Sequence, residues 1–195
     1  MKKLFFVGLL LSLYSCGNNK SSDSIEEKEL PYVGENAIGK FGFVAHTGDT
    51  ITQANMDGKV SVVDFFFTSC PTICPKMKSQ MLRVYESYKD NPNVIILSHS
   101  IDPEYDTQEV LNDFAKRLEV TGNTWYFLTG EKDSIYAMAD KYMVMAEEDP
   151  SSPGGFAHSG AFILLDQERR MRGVYDGTRE QSVDSLILDI KKLIP

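Results

Sequence analysis

Apolar, strand-like segments alternate with amphipathic, helix-like segments along most of this chain. Continuous apolar runs predict buried strands at residues 60–67, 94–97 and 125–128. Short alternating runs around turn residues predict two hairpins, an N-terminal one at 41–52 and a later one at 161–175. Apolar residues at helical spacing predict four helices, at 74–88, 107–118, 134–141 and 182–193. This order predicts an α/β fold in which a central mixed sheet is flanked by helices on both faces.

The first fifteen residues have the pattern of an export signal. A short basic start precedes an apolar stretch at residues 4–13, which is too short to span a bilayer. The sequence Leu13-Tyr14-Ser15-Cys16 resembles the bacterial lipobox, which implies cleavage before Cys16 and acylation of that cysteine. An ordinary cleaved signal with an incidental cysteine is the alternative. Residues 16–33 are largely polar and charged, and they predict a flexible tether from a membrane surface.

Length and net charge limit what kind of domain can follow the tether. The chain has 195 residues and a formal net charge of −8, which becomes −10 if Lys2 and Lys3 leave with the signal. The remaining length is enough for one domain with a proper hydrophobic core, predicted at 34–195. So acidic a chain argues against nucleic acid as a partner and suits an extracytoplasmic domain held at the bacterial cell membrane by its lipid.

Two cysteines lie in the turn between the predicted strand at 60–67 and the helix at 74–88. Cys70 and Cys74 are four positions apart, so helical geometry places their α-carbons roughly 6 Å from each other. The sulfurs could therefore hold a soft metal ion when reduced or close into a disulfide when oxidised. The N-terminus of the helix favours the thiolate form that either reaction needs. In an oxidising location, a metal or a reductant would have to protect the pair from oxidation.

Three motifs together resemble the Sco/SenC family, and their order and spacing cover most of residues 35–190. They are Thr68-Ser69-Cys70-Pro71-Thr72-Ile73-Cys74-Pro75, then Ile101-Asp102-Pro103-Glu104-Tyr105-Asp106-Thr107, then His158-Ser159 leading into Ile163-Leu164-Leu165-Asp166. The resemblance implies a thioredoxin-like fold. It also implies a membrane-tethered copper protein that helps to assemble the dinuclear copper centre of cytochrome c oxidase.

The same resemblance implies roles for individual residues and partners. It makes Cys70 and Cys74 the sulfur ligands of copper and His158 the imidazole ligand. Asp102, in the Asp-Pro motif, is implied to lie close behind these ligands. The implied partners are the copper-site subunit of the oxidase and a thiol reductant or other copper carriers.

Residue chemistry agrees with a copper carrier. Thiolates select Cu(I) over hard ions, and imidazole is also a suitable ligand. His158 follows a loop that contains Gly154 and Gly155. We expect movement of this loop to let the imidazole join or leave the metal, which would help transfer to a partner.

Other functions remain open at this level. The cysteines could form a structural disulfide, or they could act as an extracytoplasmic thiol-disulfide oxidoreductase on the oxidase or other exported proteins. Such oxidoreductases usually place two residues between their cysteines, whereas three separate Cys70 from Cys74. A peroxidase is disfavoured because Phe67 stands where that class has a threonine. A zinc site would need a further ligand such as Asp102. We favour a carrier over a turnover enzyme.

Four other residues carry atoms that could bind metal. His46, in a predicted hairpin turn, is expected to be exposed to solvent. His99, at the end of a central strand, is expected to have a structural or surface role, although strand ends of this kind face functional clefts. Met143 and Met145 could supply thioether ligands, but an alternating apolar strand is the favoured interpretation of their spacing.

Overall fold

A mixed sheet of seven strands forms the centre of the protein. The computed structural model describes residues 30–34 and 37–195. Within these residues the strands are β1 (Gly42–Ala45), β2 (Thr50–Thr52), β3 (Val60–Phe66), β4 (Val94–Ser100), β5 (Trp125–Thr129), β6 (Ala146–Glu148), β7 (Phe156–His158), β8 (Ala161–Leu165) and β9 (Met171–Asp176). Strands β6 and β7 form a separate two-stranded ribbon, and the other seven form the main sheet.

The strand order of the main sheet is β2-β1-β5-β4-β3-β8-β9. Strands β3, β4 and β5 are parallel, and the remaining pairs are antiparallel. All seven residues of β3 and all seven of β4 are buried. Central parallel strands are covered on both faces, which explains why their sequences are apolar runs rather than alternating patterns.

In the described part of the chain, four α-helices cover the two faces of the sheet. They are α1 (Cys74–Tyr88), α2 (Gln108–Arg117), α3 (Lys132–Lys141) and α4 (Glu180–Leu193). In α2, the ring of Phe114 stacks on Phe66, with the two ring centroids 5.5 Å apart. Tyr142, which follows α3, instead packs edge-on against Phe65. Because neighbouring residues of a strand point to opposite faces, α2 and α3 lie on opposite sides of β3.

The structure confirms the predicted α/β architecture, with its central mixed sheet, flanking helices and N-terminal hairpin. It differs from prediction around residues 142–155. The expected alternating apolar strand at Met143 and Met145 is wrong, because both side chains are exposed and precede the short strand β6. The alternation is present, but Tyr142 and Val144 are the buried residues. The polar loop predicted at 147–155 is shorter, since its first residues pair with β7.

The predicted signal at 1–15, Cys16 and most of the predicted tether lie outside the described residues. Two residues near the end of that tether do contact the sheet. The backbone N–H of Val33 donates to the carbonyl oxygen of Met171 at 2.8 Å, and Arg172 Nε donates to the carbonyl oxygen of Leu30 at 3.1 Å. Among the described residues, every helix is too short or too polar to cross a bilayer.

Candidate metal centre

The two cysteines lie at the carboxyl end of β3, where the chain turns into α1. Cys70 is in the turn and its N–H donates to the carbonyl oxygen of Phe67 at 3.3 Å. Cys74 is the first residue of α1, and Pro75 occupies a first-turn position that needs no backbone donor. Both side chains are free thiols, 8% exposed for Cys70 and 1% for Cys74. The turn therefore presents two sulfurs at the edge of the core rather than in open solvent.

His158 reaches the cysteines from the end of β7. Its Nε2 lies 3.4 Å from the Sγ of Cys74 and 3.9 Å from the Sγ of Cys70. Its Nδ1 lies 3.2 Å from the carbonyl oxygen of Ser159. A carbonyl oxygen only accepts hydrogen bonds, so this contact requires the hydrogen on Nδ1. Nε2 is the atom that faces the two sulfurs: with a hydrogen it donates to the Cys70 thiolate, and without that hydrogen it is the nitrogen that would bind a metal.

The ligand atoms of Cys70, Cys74 and His158 all lie within 4.8 Å of one another. A single ion placed among them could contact two sulfurs and one ring nitrogen. The donor set is soft, which suits Cu(I) and disfavours hard cations such as Mg²⁺ or Ca²⁺. The structure thus brings together the three residues that the sequence singled out, and they form a group that could hold a metal ion.

The pKa values of the two thiols are shifted in opposite directions. Burial by itself raises the pKa of Cys70, but hydrogen bonds from His158 and from the Thr72 and Cys74 backbone lower it more, to about 6. Burial raises the pKa of Cys74 well above its usual range, and the nearby charges of Cys70 and Asp64 add to this increase. At neutral pH the pair therefore contains one thiolate and one thiol, so a metal binding both sulfurs must displace the Cys74 proton.

The buried carboxylate of Asp106 forms hydrogen bonds to the start of the cysteine turn. It accepts hydrogen bonds from the backbone N–H of Thr68 at 3.0 Å, from the Thr68 hydroxyl, and from the Ser100 hydroxyl at 2.5 Å. Asp102, which the resemblance placed behind the ligands, forms its described hydrogen bonds through its backbone, to Ser100, Tyr105 and Asp106. This role of Asp106 is not evident from the sequence, although the residue lies in the same motif, because nothing in the spacing distinguishes a buried aspartate from an exposed one.

The loop before His158 is packed against the cysteine turn. The side chain of Asp149 accepts hydrogen bonds from Ser151 and Ser152, and its N–H donates to the carbonyl oxygen of Gly155. Gly154 has a φ of +85°, and a Cβ there would lie 2.8 Å from Phe67 Cε2. Only glycine fits both the backbone conformation and the close approach. The contact holds the loop, and with it the ribbon that carries His158, against the cysteine turn.

The other two histidines do not belong to this cluster. The prediction that His46 is exposed is wrong, since it is buried and its Nδ1 accepts a hydrogen bond from the N–H of Phe127 at 3.2 Å. His99 is buried between the rings of Phe43 and Phe65, and neither of its ring nitrogens has a hydrogen-bond partner among the described residues. Of the two expected locations, structural or surface, its burial excludes the surface.

Comparisons with known proteins identify the family. The family model described as SCO1/SenC matches residues 31–195. A SCO1 protein homolog of Bacillus subtilis is 29% identical over 185 residues, which are 94% of this chain and 91% of that protein. A solved structure of a protein called BsSco has a TM-score of 0.73 at 28% identity and covers 85% of this chain and 98% of its own. It is described as having a disulfide switch and as belonging to the Sco family of cytochrome c oxidase assembly proteins.

Two further solved structures share the fold. A SCO1/SenC family lipoprotein of Bacillus anthracis has a TM-score of 0.74 at 26% identity, covering 87% of this chain and 99% of its own. Copper-bound ScoI of Arabidopsis thaliana has a TM-score of 0.66 at 24% identity, covering 80% and 99%. These similarities confirm the predicted thioredoxin-like fold. Because the family model spans most of the chain and all three sequence motifs lie within it, this chain belongs to the SCO1/SenC family.

Proposed function

We propose that this chain is a copper-binding metallochaperone that helps to assemble the copper centre of cytochrome c oxidase. Cys70, Cys74 and His158 hold the copper ion, which is the cargo rather than a permanent cofactor. The observation that carries the proposal is the approach of His158 Nε2 to both sulfurs, at 3.4 Å and 3.9 Å. Membership of a family that includes copper-bound and oxidase-assembly proteins supports it.

The donor set suits a carrier because it offers few ligands. Cu(I) accepts low coordination, so two sulfurs and one nitrogen suffice, and a partner can add its own ligand before the first ones leave. Cys70 and Cys74 are fixed by a central strand and a helix. His158 is on the short ribbon of β6 and β7, whose two strands pair with each other and not with the main sheet. We infer that the imidazole is the ligand that detaches during transfer.

Anaerobic titration of the reduced protein with Cu(I) and Cu(II) tests the proposal. One equivalent should bind, and Cys70→Ser or Cys74→Ser should abolish this binding. His158→Ala should retain Cu(I) with affinity lowered at least about tenfold, because one of three ligands is lost. Glu119→Gln, which removes an exposed carboxylate just after the end of α2, is the control and should bind like the wild type. Unchanged affinity and transfer rate in His158→Ala would exclude the imidazole as a ligand.

A thiol-disulfide oxidoreductase is the second candidate function. The low pKa of Cys70 and the buried, protonated state of Cys74 favour it, since attacking and resolving thiols differ in this way. The Cys-x-x-x-Cys spacing is its weak point. Rapid reduction of model disulfides by a protein that retains no copper would favour this function over the carrier. Reduction that stops when one equivalent of Cu(I) is added would mean that both activities use the same pair.

We also propose that Cys16 carries the lipid that holds the domain outside the cytoplasm. The lipobox-like Leu13-Tyr14-Ser15-Cys16 supports this, and a lipoprotein of the same family has a closely similar fold. The partners are then the copper-site subunit of the oxidase and a thiol reductant or copper carrier in the same compartment. Mass spectrometry of the membrane-extracted protein should show an acylated N-terminal Cys16. Cys16→Ala should release the chain from membranes, and retention of this variant would contradict lipid anchoring.

A further inference from the structure

The ribbon of β6 and β7, which carries His158, has few polar attachments to the rest of the domain. The described hydrogen bonds of residues 146–158 are made within this segment or to the adjacent Ser159, except at two side chains. One is His158, which contacts the two sulfurs. The other is Glu148, at the end of β6, whose carboxylate accepts a hydrogen bond from Lys132 Nζ.

Lys132 also contacts the second sequence motif. Its Nζ lies 3.6 Å from Oε1 of Glu104, so one ammonium group pairs with a carboxylate of the ribbon and with a carboxylate of the turn at 102–106. The same turn contains Asp106, whose side chain accepts hydrogen bonds from Thr68 at the start of the cysteine turn. Lys132 therefore lies between the part of the metal centre that carries the imidazole and the part that carries the sulfurs.

The stability of helix α3 does not explain a lysine at this position. Lys132 is the first residue of α3, directly after the capping residue Glu131, and the helix dipole disfavours a cation there. The two carboxylates that it contacts offset this cost. One turn later, the hydroxyl of Tyr136 donates to the carbonyl oxygen of Ile101 at 3.1 Å, so the start of α3 is fixed against the chain that leads into the second motif. The ammonium group thus projects from a fixed support toward the ribbon.

We propose that Lys132 is a positioning residue, whose bridge between two carboxylates holds the ribbon and so sets how often the imidazole of His158 leaves the sulfurs. The consequence for copper release rests on the proposed carrier function, whereas the effect on the ribbon does not. The Lys132 side chain is 28% exposed, and an ion pair near the surface is weak and screened by salt. A weak attachment suits a ribbon that has to open. Its loss should raise the open fraction about two- to fivefold.

Nuclear magnetic resonance of the reduced, metal-free full chain measures this opening. The chain has three histidines, so ¹³C labelling at histidine Cε1 gives one signal from the metal centre and two internal controls from the buried His46 and His99. Relaxation dispersion reports the population of the minor state. Lys132→Met should raise that population at His158 about two- to fivefold, and Lys132→Arg, which keeps the charge, should restore the wild-type value.

Salt and a second lysine provide the controls. About 1 M NaCl, where the Debye length is about 3 Å, should increase opening in the wild type and have little effect in Lys132→Met. Lys116→Met is the matched variant, because it removes an exposed lysine from an ion pair with Asp113 on α2. The inference is refuted if Lys132→Met leaves the dispersion of His158 unchanged, or if Lys116→Met changes it equally.

Release of Cu(I) to an excess of the chelator bathocuproine disulfonate measures the consequence for copper. Lys132→Met should speed release about two- to fivefold in the wild-type background and not in His158→Ala, because Lys132 acts through the imidazole. Equal acceleration in both backgrounds would show a general structural effect and overturn the inference. A chain that binds no Cu(I) would refute the carrier function, while the resonance measurement on the metal-free chain would still decide the role of Lys132.

Discussion

The Nε2 atom of His158 lies 3.4 Å from the Sγ of Cys74, although 84 residues separate them in the chain. The contact joins the first residue of α1 to the last residue of β7. It brings the imidazole to a thiol pair that already has one ionised member. The short ribbon β6–β7 therefore completes a site whose other half is built on the central sheet.

The acidities of the two thiols predict selective alkylation. Iodoacetamide should modify Cys70 first, with a rate that rises through pH 6, because hydrogen bonds that include His158 lower its pKa to about 6 against the effect of burial. Cys74 should react much more slowly, since it is buried and protonated. Peptide mapping by mass spectrometry separates the two sites from Cys16. In His158→Ala the rate profile of Cys70 should move to higher pH, and faster reaction of Cys74 would contradict the assignment.

The close approach of Gly154 to Phe67 predicts a large effect from one methyl group. Gly154→Ala should destabilise the loop and weaken copper binding, because its Cβ would lie 2.8 Å from Phe67 Cε2 and 3.3 Å from Pro71 Cδ. Gly155→Ala is the matched control, because Gly155 has the same φ of +85° but no atom within 4 Å of its Cβ position. In both variants, alanine in the left-handed conformation lowers the stability by about 1 kcal/mol. Chemical denaturation and Cu(I) competition should separate them, and equal losses would show that the contact with Phe67 is unimportant.

The carboxylate of Asp106 predicts a link between the second motif and the cysteine turn. Asp106→Ala should lower the free energy of unfolding by about 2–4 kcal/mol, since the N–H of Thr68 and the hydroxyl of Ser100 would lose a buried acceptor. Thr68 lies two residues before Cys70, so copper affinity should also fall. Asp102→Asn is the control, because the described hydrogen bonds of Asp102 use its backbone. Urea unfolding and Cu(I) competition provide the measurements, and an Asp106→Ala protein with wild-type values in both would refute the link.

A buried aspartate on β3 predicts that stability falls as pH rises. Burial raises the pKa of Asp64 to about 7, although a hydrogen bond from Ser98 lowers it in part. The pKa in the unfolded chain is about 3.9. Between these values the folded state keeps a proton that the unfolded state has lost, so this group stabilises the fold below about pH 4, and that contribution is lost by about pH 7.

Urea unfolding between pH 4 and pH 8 measures this effect. The loss from Asp64 should approach about 1.4 kcal/mol per pH unit inside the window. Asp64→Asn should remove this slope, because its amide does not titrate, and Ser98→Ala should move the end of the window to higher pH. Parallel stability curves for Asp64→Asn and the wild type would mean that Asp64 is ionised in the folded protein.

Most of the fold could be predicted from local pattern. Buried parallel strands leave continuous apolar runs, and helices that cover a sheet leave a 3.6-residue period, so β3, β4 and α1 were recognisable at once. The errors fall where tertiary contacts outweigh local signals. His46 was expected in solvent because it follows β1 in a polar turn, but its ring packs against Phe127. Met143 was assigned to a strand because alternation does not reveal which of the two faces is buried.

The sequence by itself determined which ligand atoms the metal centre offers, two sulfurs and an imidazole nitrogen. It also determined that the two cysteines lie close together. Cys70 and Cys74 are four positions apart in one short turn, which keeps them near each other wherever that turn is placed, because the geometry is local. Only the tertiary structure decided that His158 reaches them and that Asp106, rather than Asp102, accepts hydrogen bonds from the turn through its side chain. Those contacts span 84 and 38 residues. They depend on how the strands pair in the sheet and the ribbon, which no local pattern contains.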